Sequence, residues 1–208
     1  MVYFDELKTE NITASGAKKD NFHFTQNTAE YQKQNQSGVS SGYGLRWALI
    51  ASSPPRQLKV AYVESSGPAS TNGISRGAEI LAIDGVDLVN GSDTDTLNDG
   101  IYPSEAGESH TFVIRDLGSA TTRTVTLIAA DIQAAAVLKN QVIDTPSGKV
   151  GYLMYNNFRA YSETALVDAF NQLAAQNIDD LILDLRYNGG GMLDLSSGLA
   201  YMIAGTDN

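Results

Sequence analysis

The chain is 208 residues long, 42% hydrophobic and 18% charged, the composition of an ordinary soluble protein with room for one large domain or two small ones. Its formal net charge of −10 argues against nucleic acid as a partner, because phosphate binding rests on clustered Lys and Arg; zero cysteines exclude disulfides and thiolate chemistry while leaving the compartment open. No segment approaches the roughly 20 apolar residues that span a bilayer, and Met1 is followed by VYFDELKTEN rather than by a basic and then apolar signal.

Residues 1–41 are polar and read as an arm, partly helical, whose aromatics Phe22, Phe24 and Tyr31 are placed to dock on a larger body. From Gly42 to about residue 130 the pattern is β-rich with sharp punctuation. LKVAYV (58–63) alternates as a half-buried strand, SSGPAS (65–70) turns, and EILAIDGVDL (79–88) sets Asp84-Gly85 between two apolar runs, the pairing that favours a tight hairpin. DTLNDGIY (95–102) predicts a short helix with Leu97 and Ile101 on one face, weakened by Gly100. HTFVIRD (110–116) and RTVTLIA (123–129) then alternate as strands across a connection containing Gly118. Five or six short strands with two short helices predict a small, partly open β-barrel. Residues 131–148 read as a linker.

From Lys149 the period changes. KVGYLMYNNF (149–158) reads as a strand, and Leu166, Phe170, Leu173 and Ala174 recur at helical spacing, with Ser162 placed as N-cap and Glu163 against the helix dipole. In DLILDLRYNGGGMLDLSS (180–197), Leu181, Ile182, Leu183 and Leu185 predict a short strand buried on both faces, followed by three glycines and a second helical stripe at Leu195, Leu199 and Met202 or Ile203. The result is a βαβα unit with a right-handed crossover over 149–208. Two parallel strands cannot cover both faces of strand 181–185, so a continuing chain or another copy of it must do so, and self-association is expected. The fold class is α+β.

Among candidate sites, the glycines at the carboxyl end of a buried strand admit two readings, a tight strand-to-helix turn or backbone amides aimed at a developing oxyanion. A nucleotide loop fits poorly, because Asp194 falls where a third glycine is needed and no P-loop lysine follows. His23 and His110 are too few and too far in sequence from any carboxylate cluster to suggest zinc, and His110 is expected at a surface or edge position. Asp184 and Arg186 read as a structural tie between turns. The acidic NGSDTDTLND (90–99) lacks the EF-hand spacing and reads as a solvated loop with a helix cap. No metal or cofactor is expected.

The order and wording of these pieces resemble the carboxyl-terminal processing, or tail-specific, serine peptidases, which pair a PDZ domain with a protease core related to the crotonase and ClpP folds. The resemblance runs from KKDNFHFTQNTAEYQ (18–32) through SGYGL (41–45) and SSGPASTNGISRGAEILAIDGVDL (65–88) to KVGYLMYNNF and LILDLRYNGGG. It implies a PDZ domain at 42–130 and the first part of a protease core at 149–208. Gly42, Tyr43, Gly44 and Leu45 would hold a peptide carboxylate, Leu97 and Ile101 would line a pocket for its apolar terminal side chain, and Gly190 or Gly191 would give an oxyanion-hole amide. Implied partners are unstructured polypeptides or protein carboxyl termini, in the periplasm or cell envelope. In this family the nucleophilic serine and its lysine base lie downstream of the triple glycine, where the match does not reach. The chain therefore reads as truncated and is not expected to cleave peptide bonds alone; the alternative is a peptide-binding module that has lost the chemistry.

Overall fold

The computed structural model describes residues 7–14, 16, 19, 20, 25 and 27–205. The chain forms two units, 1–32 and 33–208. In the first, short-range turns hold the described backbone: the Gly16 amide donates to Thr13 O (3.0 Å) and the Lys19 amide to Asn11 O (2.9 Å). Phe22, His23 and Phe24 lie outside the described residues, and Tyr31 is exposed. Helix α1 (Thr28–Ser37) starts there, with Asn27 Oδ1 accepting from the Ala29 amide, and runs into the second unit.

The second unit opens with β1 (Val39–Gly42), which pairs antiparallel with β8 (Ala130–Gln133). Between them lies a six-stranded sheet. Its path runs β2 (Leu45–Ala51), β3 (Gln57–Val63), β4 (Glu79–Ile83), β6 (Ser109–Arg115), β7 (Arg123–Ile128), with β5 (Val86–Asp87) paired to β4. The expected partly open barrel is an open sheet, whose ends β2 and β7 do not pair. Asp84 and Gly85 both take positive φ, 47° and 82°, and close the β4–β5 hairpin as their residue types dictate. Leu58 and Val60, and Phe112 and Ile114, point inward from alternate positions, Ile80 and Ile83 join them across a register shift in β4, and together they make the core. Two short helices pack on it. Helix α2 (Pro68–Thr71) starts with proline in its first turn, and α3 (Thr94–Ile101) is capped by Asp93, whose Oδ1 accepts from the Thr96 amide at 3.1 Å. Gly100, a poor helix former, sits there because any Cβ would collide with Ile83 Cγ2.

Residues 131–148, read as a linker, instead contain most of β8 and all of β9 (Val137–Thr145). Strand β9 pairs antiparallel with β10 (Gly148–Tyr155), and β10 pairs parallel with β11 (Asp180–Asp184), so the expected two-stranded unit has a third strand. Helix α4 (Glu163–Ala175) buries Leu166, Ala169 and Leu173 against this sheet, and α5 (Leu193–Ala204) adds Leu195, Leu199 and, at the ambiguous position, Met202 rather than Ile203.

Two expectations fail here. Ser162 stands at the N-cap position of α4 without capping it: a 3₁₀ turn (Ala160–Ser162) precedes the helix, and the buried hydroxyl donates to Arg159 O and bonds Tyr155 Oη, each at 2.6 Å. Strand β11 is buried on one face only, because helix packing covers one face of its sheet; Leu181 and Leu183 pack inward while Ile182 is 50% exposed.

Candidate functional site

Strand β2 leaves one edge of the six-stranded sheet unpaired, and α3 lies beside it. A hollow of about 320 Å³ separates them, lined by Trp47, Leu49, Leu97, Asn98, Ile101 and Tyr102 among others. A second hollow of about 480 Å³ adjoins it at the start of β2, where Gly42, Tyr43, Gly44 and Leu45 meet Arg46, Glu64 and Ile101. Of the expected peptide-contacting residues, the structure thus gathers five around the second hollow and sets Leu97 in the first.

The backbone of this loop is fixed by its carbonyls. Tyr43 O accepts from the Ala69 amide (2.9 Å) and Gly44 O from the Glu64 amide (2.8 Å). In a trans peptide the next amide points the opposite way, so the Gly44 and Leu45 N–H groups are turned away from the β3–α2 connection. Gly44 takes φ 74°, and a Cβ there would stand 2.9 Å from the Gly67 Cα, so the close crossing of loop and connection demands glycine on both sides.

The Tyr43 side chain belongs to the core. It is 2% exposed, its ring meets Phe112 edge-on at 5.4 Å, and its hydroxyl donates to Gly100 O at 3.0 Å. Burial pushes its phenol well above the ordinary range, with the Asp84 and Glu108 carboxylates adding to the effect. Trp47 Nε1 donates to Ile101 O (3.2 Å). The last turn of α3 is thereby bolted to the loop and to β2. Sequence reasoning missed Trp47, Arg46 and Glu64; the alternation of LRWALIA could have pointed to Trp47, whereas nothing local marks Glu64.

The glycine turn follows β11. Gly190 O accepts from the Phe158 amide (2.9 Å) and Phe158 O from the Met192 amide (2.6 Å), a parallel bridge centred on Gly191. By the same peptide geometry the Gly191 N–H faces away from Phe158, and it has no hydrogen-bond partner among the described residues. The Gly190 amide donates to Asn188 Oδ1 (2.7 Å), and Asn188 Nδ2 to Tyr155 O (3.0 Å). The two candidate amides therefore differ: Gly190 is engaged by a neighbouring side chain, while Gly191 is turned outward.

Asp184 and Arg186 form a tie, as expected. Asp184 Oδ2 accepts from Arg186 Nη2 (2.6 Å) and Tyr152 Oη (2.5 Å), and Arg186 first, then Tyr152, holds its carboxyl far below the usual range. His110 is less exposed than expected: its side chain is 14% accessible, with Nδ1 2.6 Å from Asp84 Oδ2 and Nε2 3.6 Å from Glu108 Oε2.

Residues 149–207 match the model of peptidase family S41. The carboxyl-terminal-processing protease of Picosynechococcus sp. is 30% identical over 174 residues, covering 81% of this chain and 39% of that protein. Its Synechocystis sp. counterpart is 32% identical over 168 residues, covering 79% and 38%. The structure of a photosystem II D1 C-terminal processing protease superposes with a TM-score of 0.55 at 25% identity, covering 80% of this chain and 44% of that one. The chain spans about two fifths of the length of these curated relatives, 39% and 38%. It is a relative of the carboxyl-terminal-processing proteases and carries a peptidase family S41 segment at residues 149–207.

Proposed function

We propose that the whole protein is a serine endopeptidase that binds polypeptide carboxyl termini with a PDZ-like module at 42–130 and cleaves them on a ClpP/crotonase-like core entered at residue 149, with a Ser–Lys dyad outside these 208 residues. The observation that carries this is the unpaired edge of β2 beside α3, ending on a loop whose Gly44 and Leu45 amides are turned out by their tied neighbours. An extended peptide adds as a strand to such an edge while successive amides donate to its carboxylate. Gly191 supports the chemical half, since an outward amide at a side-chain-free turn is a preorganised oxyanion donor. The partners are unstructured polypeptides, and a periplasmic or cell-envelope location belongs to the same reading. A binding module without chemistry is the second reading, favoured by the engagement of the Gly190 amide with Asn188; incubating the whole protein with a disordered substrate separates the two.

The test of the binding half is a titration of this chain with apolar-ended peptides carrying free or amidated termini. One carboxylate and one or two buried side chains supply about 6–8 kcal/mol, so Kd in the micromolar range or weaker is expected for the free acid only. Equal binding of the two forms overturns the carboxylate loop.

A further inference from the structure

A side chain bridges the two walls between which a peptide would lie. Trp47 stands on β2, the unpaired edge of its sheet, and its Nε1 donates to Ile101 O in the last turn of α3 at 3.2 Å, so one indole joins strand and helix. The ring is held on its face as well: it stacks on the core residue Phe112, with centroids 6.1 Å apart and planes at 26°. Trp47, Ile101 and Tyr102 are common to both hollows beside β2. Only the loop hollow adds Gly44 and Leu45; only the other, of about 320 Å³, adds Leu49, Leu58, Leu88 and Leu97. The indole therefore stands where a polar hollow at the loop meets an apolar one further along β2.

In a strand added to the β2 edge, successive side chains point to opposite faces, so the terminal residue and the one two positions earlier turn the same way, about 6.5–7 Å apart. With the carboxylate on the Gly44 and Leu45 amides, a terminal side chain that faces α3 meets the indole and its bond to Ile101 O. A bulky one has to lift the ring off Phe112 and part an N–H that only donates from its carbonyl; a small one leaves both in place. The side chain two positions earlier has passed the indole and faces the leucine-lined hollow. We propose that Trp47 is the specificity-determining residue of this site: it selects polypeptides that end in a small residue and carry a large apolar residue two positions before the end. The inference rests on the carboxylate-loop reading above, to which it adds the class of terminus that is taken.

The experiment uses the full chain and hexapeptides that end in alanine or phenylalanine and carry leucine or serine two positions earlier, as free acids, with the leucine–alanine peptide also as its amide. Affinities come from the anisotropy of a dye at the peptide's amino end. The parent should bind the leucine–alanine acid about tenfold more tightly than either the phenylalanine-ended or the serine-bearing acid, the loss of one buried side chain's contribution. Trp47 is the single tryptophan, so its emission, read with unlabelled peptide, reports this indole alone and should shift as the acid binds. Trp47→Val removes the bridge and should erase or reverse the preference for alanine over phenylalanine while keeping the preference for leucine over serine. Trp47→Phe keeps a ring on Phe112 but cannot donate to Ile101 O, and should narrow the same gap even where the valine variant folds poorly. A parent that tells acid from amide yet binds both ends equally, a Trp47→Phe chain that keeps the parental gap, or an emission unmoved by bound acid overturns the Trp47 assignment alone. A parent that binds acid and amide equally overturns the loop assignment beneath it.

Discussion

Alanine at each of the three consecutive glycines should give three different stabilities, because each glycine is there for a different physical reason. At Gly191 a Cβ would stand 2.5 Å from the Phe158 carbonyl carbon and closer still to its oxygen, both rigid backbone, and φ is 141°. The substitution must open the bridge, losing the bonds from the Phe158 amide to Gly190 O and from the Met192 amide to Phe158 O. Two hydrogen bonds at about 1 kcal/mol each and backbone strain of about 1–3 kcal/mol sum to about 3–5 kcal/mol, roughly a third to a half of a typical domain's stability. At Gly190 there is room for a Cβ, but φ is 87°, so only the left-handed penalty of about 1–2 kcal/mol applies. At Gly189 neither clash nor positive φ exists, and the change should stay within about 0.5 kcal/mol. Urea unfolding followed by circular dichroism measures all three, with hydrogen exchange at Phe158 and Met192 reporting local opening. A Gly191→Ala chain as stable as the parent, or a Gly189→Ala chain as damaged as Gly191→Ala, would refute the assignment of Gly191 to a backbone crossing.

Tyr43→Phe keeps the ring on Phe112 but strands the buried Gly100 carbonyl; it should cost about 1–3 kcal/mol in urea unfolding and weaken peptide binding as α3 loosens, and an unchanged midpoint would show that Tyr43 is no bolt. Asp184 has a depressed folded pKa, so its stabilisation is present above the unfolded carboxyl value near 4 and is lost as pH falls through the lower folded value; Asp184→Asn should be less stable than the parent at neutral pH and should flatten the acid limb, whereas parallel profiles between about pH 2 and pH 7 would contradict the tie. Leu193 at 83% exposure, Tyr201 at 60% and Ile182 at 50% leave apolar surface on the family S41 segment, so the chain should form a dimer or larger species that Leu193→Glu with Tyr201→Glu weakens; light scattering over a dilution series that finds only monomer would rule this out.

What the sequence disclosed follows a physical divide. Asp84-Gly85, the helix cap in the loop 90–99, which is Asp93, and the run 181–185 before its glycines are local signals, set by what a few neighbouring residues can do with φ, ψ and one hydrogen bond. All are found where local chemistry puts them. Strand β9 was illegible for the opposite reason. It is a sheet edge, and Lys139, Asn140, Gln141 and Asp144 interrupt its apolar pattern because half of the strand faces water. Ser162 misled because a good N-cap residue was taken up by Tyr155, seven positions back and on another element. Glu64 carries no local mark: its surroundings arise only when residues 44 and 135 are brought to it by chain reversals that no short window contains.

One device recurs at both candidate sites. At the 42–45 loop, Tyr43 O and Gly44 O are tied across the chain to the Ala69 and Glu64 amides; at the 189–191 turn, Gly190 O is tied to the Phe158 amide. In each case the planar peptide converts a satisfied carbonyl into an outward N–H, and in each the tie brings two backbones so close that a Cβ has no place, at Gly44 against Gly67 and at Gly191 against Phe158. Amides held this way are already ordered before any anion arrives, so an incoming carboxylate or oxyanion gains their hydrogen bonds without the entropy of arranging them. Selectivity cannot come from such amides alone, since they accept any anion. It has to come from what stands around them, and at the loop the hollow is also lined by Leu45, Trp47 and Ile101, so an apolar side chain next to the carboxylate is what separates a peptide terminus from a bare anion.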